Sequence, residues 1–138
     1  MDDDVARRRA ERVDRAAEHR KAQEGRREQE SAKAQVLVDR FVERAVDAGL
    51  PTEELMARPW SGRGSYRTGV TGWYVRTNHS IGVSREGGFY VLNVAPVRFG
   101  RWRTVRIEPS PPPLIVGEGA RDGESIPLAE LLELRLGW

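Results

Sequence analysis

Cysteine is absent from the 138 residues, which excludes disulfides, thiolate metal sites and cysteine nucleophiles together. Histidine is scarce, with only His19 and His79. His19 sits in a charged run, and His79 sits in a turn sequence with no carboxylate nearby to orient it, so neither reads as an acid–base catalyst. Lysine is nearly missing: arginine outnumbers it 21 to 2, a bias that a GC-rich coding sequence produces by itself. No stretch approaches the ~20 apolar residues of a membrane span. The start, Met1-Asp2-Asp3-Asp4, lacks the apolar run of a secretory signal. The expectation is a soluble cytoplasmic protein without membrane contact.

Several motifs are also lacking. There is no Gly-x-Ser-x-Gly elbow and no Gly-Lys-Ser/Thr phosphate loop. Gly117 and Gly119 begin a dinucleotide-like fingerprint, but its third glycine and its surrounding βαβ unit are missing. The loop 117–125 carries Glu118, Asp122 and Glu124, yet their spacing does not match a calcium loop. No cofactor and no metal are expected, and no catalytic signature supports an enzyme.

What is present divides the chain. Residues 1–48 hold twelve acids and twelve bases. Residues 5–34 are mostly Ala, Arg, Glu, Gln and Lys, which favour helix. Glu11–Arg15 and Arg26–Glu30 are spaced to support it. Ala6, Ala10, Val13 and Ala17 begin an apolar seam, but its continuation meets Arg20, Glu24 and Arg27, too short a repeat for a coiled coil. From Ser31 onward Val38, Phe41, Val42, Ala45 and Val46, with Leu37 beside them, make an apolar stripe. Gly49 is placed to cap that helix and Pro51 to stop it. Residues 1–30 thus read as a charged helical arm, partly disordered if left alone, and 31–138 as a small domain whose first helix, 31–48, docks on the rest.

That domain reads as α+β. Thr52 is placed to cap a short helix over Glu53–Met56. Strands are expected over about 72–117, in a meander. Trp73–Arg76 is followed by an Asn78-His79 turn, in which asparagine tolerates positive φ. Ile81 and Val83 begin the next strand, and Glu86-Gly87-Gly88 is a second turn. Phe89–Val94 is apolar enough to lie centrally, Trp102–Ile107 alternates like a further strand, and Leu114–Val116 makes a short last one. Pro109 and Pro111–Pro113 form an extended connector. A final helix over 126–136 begins at a Ser125 cap, with Pro127 in its first turn. The fold expected is an antiparallel meander of four to five strands packed by two helices.

One segment stands out in charge. Residues 58–107 carry nine arginines, one glutamate (Glu86), no aspartate and no lysine, a local charge of +8 in a chain whose total is +2. The same segment holds eight of the ten aromatic residues. Its densest parts are Arg98-Phe99-Gly100-Arg101-Trp102-Arg103 and Trp60–Arg67. Arginine forks match phosphates and aromatic rings stack on unpaired bases. The candidates for a polyanion surface are therefore Arg63, Arg67, Arg98, Arg101 and Arg103, with Trp60, Tyr66, Phe99 and Trp102 as stacking residues. An ordinary sheet with core aromatics and solvent-facing arginines has the same composition. Two functions remain: an interaction module that binds a protein partner or assembly through its arm and basic sheet, or a nucleic-acid- or ribosome-associated protein using the 58–107 surface.

Overall fold

The computed structural model describes residues 2–117 and 124–138. The first helix, α1, runs unbroken over Asp2–Asp47, 46 residues, or roughly 69 Å at about 1.5 Å per residue. Gly25 does not interrupt it; the ~1 kcal/mol cost of one glycine is outweighed by the helix formers on both sides. Ala34, Val38, Phe41 and Ala45 are buried at helical spacing. Ala34 belongs to the docked stripe although the sequence stripe began later, and Val46, assigned to that stripe, points to solvent at 53% exposure. Residues 2–29 are exposed throughout, apart from half-buried Ala17 and Gly25. The C-terminus closes as expected: Gly49 adopts φ 68, its N–H donates to the Val46 carbonyl, and that of Leu50 to Ala45, both at 3.0 Å. This is a Schellman cap.

The strands are β1 (Glu53–Glu54), β2 (Arg58–Pro59), β3 (Thr71–Tyr74), β4 (Ile81–Ser84), β5 (Phe89–Val91) and β6 (Asn93–Val94), followed by β7 (Ile115–Val116), β8 (Ile126–Pro127) and the helix α2 (Leu128–Leu136). Four of them form an antiparallel sheet in the order β1-β3-β4-β5, with Trp73 opposite Val83 and Val83 opposite Phe89. The α+β fold class is thus as the sequence indicated.

Several elements differ from expectation, each for a local reason. Residues 53–54 are a strand, not a helix: Thr71 and Gly72 supply ladder partners, and Pro59 leaves too little chain for a stable helix. Phe89–Val94 is not central. It ends the sheet as edge strand β5, then breaks at Leu92, whose carbonyl accepts the Arg58 N–H, so that β6 pairs parallel with β2. Trp102–Ile107 is not a strand. A 3₁₀ turn occupies Gly100–Trp102, and among the described residues only Thr104 bridges, to Arg67, too little pairing to make a ladder. At the C-terminus Ile126 and Pro127 pair with β7, and α2 starts one residue later, where the Leu128 N–H reaches the Leu114 carbonyl. Ser125 is therefore not its cap. In the 78–79 turn it is His79, not Asn78, that adopts positive φ; the Asn78 side chain instead accepts hydrogen bonds from the Ser80 N–H and hydroxyl.

Alternation along β3 splits the interior. Trp73 faces the helices, in one cluster with Phe41, Val38, Val83, Phe89, Leu128 and Leu131. Tyr74 faces the other way, with Leu55 and Leu92. A third cluster gathers Ala57, Tyr66 and Val105. The proline connector lies along α1, where the Leu114 N–H donates to the Glu30 carboxylate at 3.2 Å.

The two helices are tied by an ion pair between Arg44 and Glu133. The hydrogen bond and charge of Arg44 hold the Glu133 carboxyl below the usual range. A depressed folded-state value means that the pair's contribution is present above the unfolded value, ~4.3, and is lost as pH falls through the folded one. Both side chains are more than half exposed, so the effect is small. Glu133→Gln is expected to flatten part of the acid limb of stability below about pH 5, read by urea unfolding at a series of pH values.

Candidate functional site

The two basic-aromatic clusters, some thirty residues apart in sequence, converge in space. The route begins at β2. Its pairing with β6 is extended by the Trp60 N–H, which donates to the Val94 carbonyl at 3.0 Å. The chain then turns through Gly62 and Gly64, both at positive φ, and returns so that Ala57 and Tyr66 exchange hydrogen bonds at 3.0 and 2.7 Å. The result is a glycine-rich hairpin loop anchored at both ends.

Tyr66 then holds the second cluster. Its hydroxyl accepts the Val97 N–H at 3.1 Å, and Gly100 lies flat on its ring: a Cβ on Gly100 would stand 2.7 Å from a ring carbon. Next to it Phe99 is forced into the left-handed region, φ 59 and ψ 22. For a residue with a Cβ that conformation costs ~1–2 kcal/mol, and its effect here is to turn the Phe99 ring outward. Thr104 and Val105 finish the junction, the Val105 N–H donating to the Arg67 carbonyl at 2.7 Å.

Between the two loops lies an open groove of about 270 Å³, with walls including Arg63, Phe99, Arg101 and Trp102 and with Tyr66 on its lining. Arg101 crosses from one loop to the other; its Nε would be 3.0 Å from a Cβ on Gly64. Trp60, Phe99 and Trp102 are 73%, 60% and 78% exposed. The Phe99 and Trp102 rings are 6.0 Å apart and tilted by 40°, and the Arg98 guanidinium lies 5.1 Å from the Phe99 centroid.

The nine sequence candidates therefore separate. Arg63, Arg101, Phe99 and Trp102 share the groove. Trp60 stands beside it, between Pro59 and Ser61, which line it. Arg98 and Arg103 are exposed on the flanking turn but do not line the groove. Tyr66, expected as a stacking residue, is only 6% exposed, since Gly100 and Val97 occupy its ring and hydroxyl. Arg67 is turned away to Glu54 at 3.0 Å, and that hydrogen bond draws the Glu54 carboxyl below its usual range. Sequence reading missed Val97 and Gly100, the contacts that make the groove. A glycine between two large exposed side chains was their only local sign.

His79 is exposed and stacks on Tyr74, centroids 3.9 Å apart and 6° from parallel. No group of three metal-ligating side chains occurs among the described residues; Glu118 and Asp122 of the carboxylate loop lie outside them. No helix among the described residues is long and apolar enough to cross a membrane. Comparison with protein-family models, with curated proteins and with solved structures finds no match.

Proposed function

We propose that this chain is a non-enzymatic interaction module whose helical arm engages a protein partner or a larger assembly. The observation that carries this reading is the exposure of α1 over residues 2–29, in a helix continuous with the buried Ala34–Ala45 stripe. Ordering a residue costs ~1–2 kcal/mol of backbone entropy, and this stretch recovers little of it by burial against its own domain. It carries acids and bases along its whole length, from Asp2–Asp4 and Arg7–Arg9 to Arg26, Arg27 and Glu28, which suits ion pairing with a surface of mixed charge. The basic face at 58–107 is a second contact surface of the same module.

Removal of residues 1–28 is expected to shift the thermal midpoint by no more than ~2 °C, the scale of surface changes under about 0.5 kcal/mol. The same truncation should abolish co-purification of the partner recovered with the full chain from its native cells. A large loss of stability, or an unchanged set of co-purifying proteins, would overturn the proposal.

A further inference from the structure

We propose that the groove between the 59–66 loop and the 97–102 turn binds single-stranded nucleic acid, with phosphates on Arg63 and Arg101 and a base stacked on Trp102. This goes beyond the arm-based reading and is independent of it. Three observations converge on it.

The first is unbalanced charge. Arg63, Arg98, Arg101 and Arg103 form no ion pair among the described residues. The one acid within 58–107, Glu86, sits on the β4–β5 turn. A cationic wall without a paired acid among the described residues suits an anionic ligand, and guanidinium forks fit phosphate oxygens in pairs.

The second is the exposed rings. Trp60, Phe99 and Trp102 are among the most exposed large apolar side chains of the domain. Phe99 and Trp102, at 6.0 Å and 40°, are too close and too tilted to admit a base between them, so Trp102 offers its free outer face. Acidic peptides would satisfy the arginines but leave these rings in water, whereas unpaired bases use both. Duplex bases are already stacked and cannot reach them.

The third is size and rigidity. At about 270 Å³ the groove falls just under the ~300 Å³ at which drug-sized pockets begin, which suits one flat ring system of a longer strand. Gly100 against Tyr66 and the Val97–Tyr66 hydrogen bond hold the 97–102 wall in place, so less ordering is required there when a ligand enters.

The test is fluorescence anisotropy of labelled mixed-sequence single-stranded RNA and DNA with the full chain at two salt concentrations. Micromolar or tighter binding is expected, falling steeply with salt. Arg63→Gln with Arg101→Gln should weaken it at least tenfold and reduce the slope of log affinity against log salt by about 1.4, ~0.7 per lost phosphate contact. Trp102→Ala should weaken it ~5- to 150-fold, the range of a lost base stack, with the slope unchanged. Gln substitutions at Arg7, Arg8 and Arg9 in the arm should change nothing. No binding at low salt would overturn the proposal. So would wild-type affinity in the groove variants, or equal competition by poly-glutamate or by duplex DNA. Loss of binding only in the arm variant would overturn it too, while leaving the interaction-module reading intact.

Discussion

Trp73→Ala is expected to lower the unfolding free energy by about 3–5 kcal/mol, the range for a large aromatic removed from a core. Trp73 is 1% exposed and meets the Phe41 ring edge-on, with centroids 5.8 Å apart and 88° between planes. Its indole N–H also donates to the Leu50 carbonyl at 3.2 Å. One side chain therefore joins the sheet, the docked part of α1 and the helix cap. Since small domains are stable by only ~5–15 kcal/mol, the variant is expected to be marginal or unfolded at 37 °C. Trp73→Phe keeps most of the contact but gives up the hydrogen bond, and should cost less than half as much. Urea unfolding followed by circular dichroism separates the two. Equal losses would mean that the hydrogen bond, not the packing, dominates the site.

The second large effect is expected at Gly72, which lies opposite Ser84 in the β3–β4 pair. A Cβ there would stand 2.0 Å from the Val83 carbonyl oxygen and 2.7 Å from the Ser84 Cα. Those are backbone atoms, so no side-chain rotation relieves the clash; the central pair must separate or bend. Gly72→Ala should therefore exceed the ~1–3 kcal/mol typical of overpacking. At Gly25, where a Cβ meets nothing within 4 Å, the same change should stabilise the helix by a few tenths to ~1 kcal/mol. Measuring both by chemical denaturation gives opposite signs if close approach, and not glycine as such, is what matters at 72.

The parts legible in sequence were those where one local signal was strong and uncontested. The 3.6-residue stripe on α1, Gly49 as cap, the 86–88 turn and the two-helix α+β class all follow from period and turn chemistry. The misreadings share a different origin. Glu53–Glu54 and Ile126–Pro127 carry plausible helix-start signals, yet both pair as strands because partners distant in sequence offer hydrogen bonds there. Trp102–Ile107 alternates like a strand but pairs only through the single Thr104–Arg67 bridge among the described residues, too little to make a ladder. The candidate surface was half legible for the same reason. Composition marked both clusters. Their meeting depends on Gly100 against Tyr66 and on the Val97–Tyr66 hydrogen bond, long-range contacts that no local pattern encodes. The same contacts remove Tyr66 from the stacking set, as Glu54 removes Arg67 from the free arginines.

The unbroken path of α1 from Asp2 into the core has a geometric consequence. With no loop between the arm and the docked stripe, each residue advances the tip by about 1.5 Å and rotates it by about 100°. Adding one residue near Gly25 would thus turn anything gripped at the tip to another side of the domain. Adding seven would nearly restore its facing, to within about 20°, while moving it about 10 Å farther out. For anything held at the tip, the number of residues between Asp2 and Ala34 would set both distance and azimuth.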